Sequence, residues 1–245
     1  MTTGAWARLR QVCFATLDHE GGVRQATELL GLGPGFDDPL LAEWNLADFT
    51  APVGPDTYVE VLAPTVPDSP VAKWLHRVGG SAGWVLSTQV PSLSGVRERA
   101  AAHGVRIAVE VTALGRDIVQ LHPKDAGITL ELDALLPRDA WFWDDMPAAQ
   151  TAHAARTTKV DDIVAVDIAA DDPARLASVW AAIVGIDPPV ASADGAELKF
   201  GHVAIRFVPA HGSRTGLVAV DLHATDRVNV AGQVGELCQT LIRFV

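Results

Sequence analysis

The chain has 245 residues, of which 49% are apolar and 20% charged, and its formal net charge is −11. This composition is typical of a globular protein, and the length corresponds to one or two domains, each able to bury its own core. The negative charge would repel a phosphate backbone, so we do not expect a nucleic acid as a partner.

The beginning of the chain shows no targeting signal. Residues 1–10 lack a basic segment followed by an apolar one, and no run reaches the roughly 20 apolar residues of a membrane helix. Cys13 and Cys238 lie in apolar segments without metal-ligand spacing, which indicates buried thiols in a reducing compartment. We therefore expect a soluble cytoplasmic protein without a membrane partner.

The first part of the chain predicts a unit of one strand, one helix and further strands. A strand is expected at 9–17, a helix at 23–30, and strands at 42–49 and 57–62 on either side of a turn. The order is that of a βαβββ unit.

A second unit follows the same order. Its predicted elements are a strand at 83–90, a helix at 93–103 that ends at a glycine, and strands at 105–111, 117–121 and 128–132.

The C-terminal third contains an internal repeat. Ile-Val-Ala-Val-Asp-Ile at 163–168 recurs as Leu-Val-Ala-Val-Asp-Leu at 217–222, and Ile-Arg-Phe-Val at 205–208 recurs at 242–245. A helix is predicted at 173–184 after the first copy. The shorter second copy has room for a helix of about two turns within 228–237, and we interpret it as truncated.

These patterns divide the chain into a first domain with two units at 1–135, a connector at 136–159, and a second domain at 160–245. The connector has no strand alternation. The second domain contains one full and one truncated unit.

Specific motifs carry a family resemblance. Residues 57–90 contain Val-Glu-Val-Leu-Ala-Pro, Asp-Ser-Pro-Val-Ala-Lys-Trp-Leu, a Gly-Gly pair and a strand, and residues 121–132 add Leu-His-Pro-Lys-Asp and Gly-Ile-Thr-Leu-Glu-Leu. Residues 8–133 thereby resemble methylmalonyl-CoA epimerases and other members of the vicinal-oxygen-chelate (glyoxalase) superfamily. Residues 160–245 resemble a second, divergent half of that kind. The resemblance implies an α+β fold in which repeated βαβββ units form cupped mixed sheets in two domains.

The same resemblance implies a divalent metal, held by one ligand from the first strand and one from the last strand of each unit. Such a metal acts as a Lewis acid on an enolate or another developing oxyanion. The four positions correspond to Gln11, Glu60, Val85 and Glu131. Val85 has no donor atom, while the other three offer oxygen ligands to a hard cation. We expect either no metal or a weakly bound divalent ion.

Glu60 and Glu131 are the predicted catalytic residues. According to the resemblance both point into the cup, where proximity and partial burial would raise the pKa of at least one of these carboxyl groups. One could then serve as a general base next to a carbonyl, with Gln11 as a hydrogen-bond donor to substrate. The alternative is that both are solvent-facing residues of alternating edge strands. Trp84 and His122 are further candidates for substrate binding, although His122 also fits a partly exposed turn.

Two other features have alternative interpretations. Asp167, Asp221, Arg206 and Arg243 would form two ion pairs across facing units or line an anion pocket. The aromatic and acidic segment at 141–146 would pack the connector over a groove or against the other half, or form a lid on the cup.

Two functions remain open. The first is an isomerase, epimerase or lyase acting on a small oxoacid or acyl thioester. The second is a metal-free protein that binds and sequesters a small molecule. The truncated last unit leaves a strand edge on which a homodimer could form.

Overall fold

The computed structural model describes residues 5–113, 115–155, 157–212, 214–226 and 228–245. Within these ranges the chain forms fourteen strands in two seven-stranded mixed sheets, together with seven helices. None of the helices in the described ranges is long and apolar enough to cross a membrane. The predicted α+β class is confirmed.

The first sheet is built from residues 8–134, with strand order β2-β3-β1-β4-β7-β6-β5. Its strands are β1 (Arg8–Thr16), β2 (Leu46–Pro52), β3 (Tyr58–Pro64), β4 (Ser81–Val90), β5 (Ile107–Ala113), β6 (Arg116–Leu121) and β7 (Thr129–Ala134). The helices of this part are α1 (His19–Leu30), α2 (Pro39–Glu43), α3 (Pro70–Arg77), α4 (Val96–Ala102) and α5 (Pro123–Ala126).

The second sheet is built from residues 160–244 and follows a connector that contains α6 (Pro147–Ala155). The strand order is β13-β14-β12-β8-β11-β10-β9. Its elements are β8 (Val160–Ala170), α7 (Pro173–Val184), β9 (Val190–Ser192), β10 (Gly195–Phe200), β11 (Val203–Pro209), β12 (Gly216–Ala224), β13 (Val234–Leu237) and β14 (Thr240–Phe244).

The predicted βαβββ repeat is present, with two complete copies. These are β4-α4-β5-β6-β7 and β8-α7-β9-β10-β11. In the first copy one strand is reduced to a single bridge between Phe36 and Thr50. Over the described residues, the last copy has the three strands β12, β13 and β14 and no helix, in agreement with its predicted truncation.

Local signals explain the helices that were predicted well. The side chain of Asp172 accepts a hydrogen bond from the Arg175 N–H, Pro173 begins α7, and Gly185 ends it with a φ of 84°. The predicted helix at 173–184 therefore has the observed bounds.

Two other predictions were wrong. The strand expected at 42–49 begins in α2, because Asp38 caps a short helix that starts at Pro39. The helix allowed within 228–237 is a turn followed by β13. Gly232, with a φ of 83°, reverses the chain there, and Val234 pairs with β14 instead of extending a helix.

The chain folds into two compact units that each take segments from both halves of the sequence. The first unit consists of Met1–Arg10, Val85–Ala140 and Ala165–Val218. The second consists of Gln11–Trp84, Trp141–Val164 and Ala219–Val245. The domain boundaries proposed from the sequence stay a prediction.

A shared register positions the polar residues of all four copies. In each copy the first strand pairs in parallel with the last strand, and one polar residue of each faces the other. Directly paired residues lie on the same face of a sheet, so their side chains meet. The four pairs are Cys13 with Glu60, Ser87 with Glu131, Asp167 with Arg206, and Asp221 with Arg243.

Candidate functional site

The first candidate group surrounds Glu60 in the second compact unit. Gln11 Nε2 donates a hydrogen bond to Glu60 Oε2 at 3.1 Å, and Cys13 Sγ donates to the same oxygen at 2.7 Å. Gln11 and Glu60 are each only 4% exposed. The structure thus brings together two of the predicted site residues, and it adds a buried thiol that the sequence predicts only as a small apolar group.

The connector contributes a tryptophan to this group. Trp143 Nε1 donates to Gln11 Oε1 at 3.0 Å, and the buried indole packs edge-on against Phe36 with ring centroids 5.5 Å apart. The amide of Gln11 therefore accepts from the connector and donates to Glu60. Trp143 of segment 141–146 thus packs against Gln11 and Phe36, while the roles expected for the whole segment, packing over a groove or against the other half or forming a lid on the cup, stay predictions.

A second contact ties the connector to β3. Tyr58, two residues before Glu60 and on the same face of the strand, makes a hydrogen bond of 2.8 Å between its Oη and His153 Nε2. Burial lowers the pKa of His153, which favours the neutral imidazole. Sequence reasoning missed both residues, because neither belongs to a motif that links β3 to α6.

The second candidate group surrounds Glu131 in the first compact unit. Ser87 Oγ donates to Glu131 Oε1 at 2.6 Å, and Gln120 Nε2 donates to Oε2 at 2.6 Å. Ser87 is buried, whereas Glu131 is only half-buried. Val85 lies two residues before Ser87 and on the same face of β4. Ser87 and Gln120 were missed, although strand pairing alone would have placed them opposite Glu131.

Trp84 and His122 have other described contacts. Trp84 stacks on Trp74 of α3, with ring centroids 6.2 Å apart. His122 is the N-cap of α5, where its Nδ1 accepts from the Lys124 N–H at 3.2 Å. The turn interpretation of His122 agrees with this position, and substrate binding by either residue stays a prediction.

The Asp and Arg residues of the repeat form ion pairs within neighbouring strands. In the first unit, Arg206 Nε donates to Asp167 Oδ1 at 2.6 Å. In the second unit, Arg243 Nε donates to Asp221 Oδ1. The two ion pairs are confirmed, but the expectation that they would form across facing units is wrong, because strand pairing places both partners of each pair in the same copy of the repeat.

Comparison with known proteins identifies the fold. No family model and no curated protein matches the chain. A hypothetical protein from Staphylococcus aureus matches 98% of this chain and 99% of its own at a TM-score of 0.66 and 10% identity. The Mn(II)-bound glyoxalase from Novosphingobium aromaticivorans matches 90% of this chain and 67% of its own at a TM-score of 0.57 and 15% identity. The chain has the glyoxalase fold.

A shorter match covers part of the chain. Methylmalonyl-CoA epimerase from Mycobacterium tuberculosis aligns with 56% of this chain and 94% of its own, at 23% identity and a TM-score of 0.46. The two longer matches, with TM-scores of 0.66 and 0.57, establish the shared architecture, while activity has to be argued from the residues.

The residues of this glyoxalase-fold chain do not fit the metal that the fold implies. Gln11 Oε1 already accepts the indole N–H of Trp143, and Val85 offers no ligand atom. In the second sheet, the positions matching Glu60 and Glu131 hold Arg206 and Arg243, which are cations. Among the residues the structure describes, no three His, Cys, Asp or Glu side chains form a group able to hold a metal ion.

Proposed function

We propose that this protein binds a small oxoacid or acyl thioester at Glu131 and transfers a proton next to its carbonyl without a divalent metal. The observation that supports the proposal is the half-buried carboxylate of Glu131, oriented by Ser87 on one oxygen and Gln120 on the other. Positioned carboxylates of this kind serve as general bases.

The chemistry needs one base within hydrogen-bonding distance of the substrate carbon. The two described donors, Ser87 on one oxygen and Gln120 on the other, fix the plane of the Glu131 carboxylate. The C–H bond of the substrate breaks, the proton moves to Glu131, and the electron pair is delocalised onto the carbonyl oxygen as an enolate. Delivery of a proton to another carbon completes an isomerisation, and delivery to the opposite face of the same carbon completes an epimerisation.

Glu60 has a different environment from Glu131. It is nearly fully buried, and it accepts from Gln11, which Trp143 contacts from the connector. We therefore assign the base to Glu131 and give Glu60 the task of holding Gln11. This assignment narrows the two-carboxylate hypothesis made from the sequence.

Uptake of solvent deuterium tests the proposal. Proton NMR in D2O would follow pyruvate, 2-oxobutyrate and propionyl-CoA with the wild type, Glu131→Gln and Glu98→Gln. We expect the wild type to accelerate exchange next to the carbonyl of one probe, and Glu131→Gln to slow it by about 100-fold or more. The exposed Glu98 on α4 is a charge-matched control and should behave as the wild type. Equal exchange by Glu131→Gln would overturn the assignment of the base.

A second candidate is binding without catalysis. It is favoured by the absence of a ligand atom at Val85 and by the engaged oxygen of Gln11, because these positions would otherwise help to polarise a carbonyl. In the same set of probes, a saturable rise in melting temperature that depends on Glu131, with no deuterium uptake, would identify a sequestering protein.

Self-association and location stay predictions. Strand β13 forms one edge of the second sheet and exposes Val234, which is a feature that a second copy of the chain could pair with. Light scattering of the purified protein would detect a homodimer, and fractionation of cells would test the expected cytoplasmic location.

A further inference from the structure

The connector lies against one polar face of the second compact unit. Gln11 of β1 and Tyr58 of β3 are directly paired in the first sheet, so their side chains stand side by side on this face. Trp143 Nε1 donates to Gln11, and His153 Nε2 shares a hydrogen bond with the Tyr58 hydroxyl. Two residues from opposite ends of segment 143–155 therefore meet one pair of neighbouring side chains.

The Glu60 group lies next to these contacts on the same face. Cys13 and Glu60 form the pair two residues further along β1 and β3, and they are 2% and 4% exposed. Gln11 connects the two pairs, because its amide accepts from Trp143 and donates to Glu60. Segment 143–155 is thus hydrogen-bonded to a group of buried polar residues.

Little apolar surface holds segment 143–155 in place. Its three buried residues are Trp143, Ala149 and Ala152, and two of them have only a methyl side chain. Most of its other side chains are exposed, among them Asp144. Burial of apolar surface is the main stabilising contribution in folded proteins, so this segment is held less firmly than a core helix.

The backbone of the segment is hydrogen-bonded to itself. Gln150 Nε2 donates to the Asp144 carbonyl oxygen at 2.8 Å. The described backbone hydrogen bonds of 144–155 also end within residues 141–155. The segment can therefore leave the sheet without breaking any described backbone hydrogen bond to a strand.

We propose that segment 143–155 is a lid that opens as one unit while the sheet stays folded, and that opening exposes the face beneath it. That face carries the side chains of Gln11, Cys13, Tyr58 and Glu60. In the closed state, the indole and imidazole of the lid make hydrogen bonds that a small polar ligand at this face would need, so closure and ligand binding exclude each other. The lid is independent of the proton transfer proposed for Glu131.

Cys13 reports the open state. A thiol that is only 2% exposed reacts with a small reagent, such as methyl methanethiosulfonate, when the structure around it opens. The full chain would be treated with this reagent at concentrations where the rate is proportional to the reagent, and mass spectrometry of the digest would give the rate at Cys13. That rate is then proportional to the fraction of open molecules.

Weakening the closed lid should accelerate the reaction. Trp143→Phe and His153→Ala each remove one hydrogen bond between the lid and the sheet, so each should raise the rate at Cys13 about tenfold. His76→Ala, at an exposed histidine of α3, is the matched control for His153→Ala and should stay within about twofold of the wild type.

A variant that is destabilised elsewhere in the same unit separates lid opening from unfolding. Arg243→Met removes the cation paired with the buried Asp221, so it should weaken the whole fold. The rate at Cys13 should nevertheless stay within about twofold of the wild type, because the balance between the open and closed lid is unchanged. If unfolding exposed Cys13, Arg243→Met would accelerate the reaction at least as much as Trp143→Phe, and the lid would be refuted.

Two further measurements keep the test decisive if a variant fails to fold. In the wild type, about 1 M urea should change the rate at Cys13 by about twofold or less, since lid opening exposes little surface. In each folded variant, amide exchange in α6 should be accelerated as much as the reaction of Cys13, because a helix this short frays once it leaves the sheet. A steep dependence on urea, an unchanged rate in a folded Trp143→Phe variant, or α6 exchange that does not follow Cys13 would overturn the lid.

Discussion

The two sheets place different chemistry at the same register position. In the first sheet a neutral donor faces a glutamate, as Ser87 faces Glu131. In the second sheet the equivalent strands carry an aspartate and an arginine, as in the pair of Asp167 and Arg206. The same register position is therefore polar in both sheets, but the residues that occupy it differ in charge.

The difference shows which polar residues stabilise the fold. An aspartate paired with a neighbouring arginine is neutralised inside the protein, so Asp167 has reduced capacity for a ligand. The two described donors to Glu131 are a hydroxyl and an amide, which are both neutral, and Glu131 is the residue proposed above as the base. We infer that the second sheet provides stability and the first provides chemistry.

Breaking an ion pair of the second sheet should have the largest effect on stability. Arg206→Met leaves the buried Asp167 without its neighbouring cation and should lower the free energy of unfolding by about 3 kcal/mol. Urea denaturation would measure the loss. The control is Arg97→Met, because the ion pair of Arg97 with Glu110 is exposed on both sides and should contribute little. Equal losses in both variants would contradict the structural role of the Asp167 pair.

Replacing Asp48 of β2 and replacing Asp167 of β8 should change the stability of the protein at pH 8 in opposite directions. Burial raises the pKa of Asp48 to about 7, so its favourable contribution to folding is complete below about pH 4 and is lost as the pH rises to about 7. Asp48→Asn should therefore stabilise the protein at pH 8 by on the order of 2 kcal/mol and change little at pH 4. Asp167→Asn should destabilise it at pH 8. Denaturation at both pH values would measure this contrast, and a destabilised Asp48→Asn at pH 8 would refute it.

The fold was largely accessible from the sequence, because its repeats are local patterns. The helix at 173–184 has a capping aspartate, an initial proline and a final glycine, and these signals do not depend on distant residues. The helix that the sequence allowed after residue 228 was wrong, because the structure there depends on a distant strand. Apolar spacing allowed a helix there, but pairing of Val234 with β14 is a tertiary contact that spacing cannot reveal.

The candidate groups were only partly accessible. Gln11 and Glu60 were chosen through a family resemblance, and the structure joins them by a hydrogen bond. The role of Trp143 depends on how the connector folds over β1, and no local pattern encodes that. The partners of Glu131 follow from strand register, which is set by tertiary pairing.

The connector contact with the first sheet should have an intermediate effect. Trp143→Phe retains an aromatic ring beside Phe36 but removes the N–H that Gln11 Oε1 accepts, so it should cost about 1 to 2 kcal/mol of stability. Thermal and urea unfolding would measure this. Trp74→Phe is the matched control, since Trp74 stacks on Trp84 and makes no hydrogen bond through its ring among the described contacts. A cost no larger than that of the control would show that the connector packs here through apolar area alone.

The substitution of Ser87 should change stability the least, and it tests the proposed function most directly. Ser87→Ala removes one of the two described donors to a half-buried carboxylate, so it should cost only about 0.5 to 1 kcal/mol. The same change should slow deuterium uptake about tenfold, because Glu131 loses part of its orientation. Cys13→Ala removes the equivalent donor from Glu60 and should leave uptake within about twofold of the wild type, whatever its effect on stability. If Cys13→Ala slows uptake and Ser87→Ala does not, the base is Glu60, and the two carboxylates of the first sheet have the reverse of the roles proposed here.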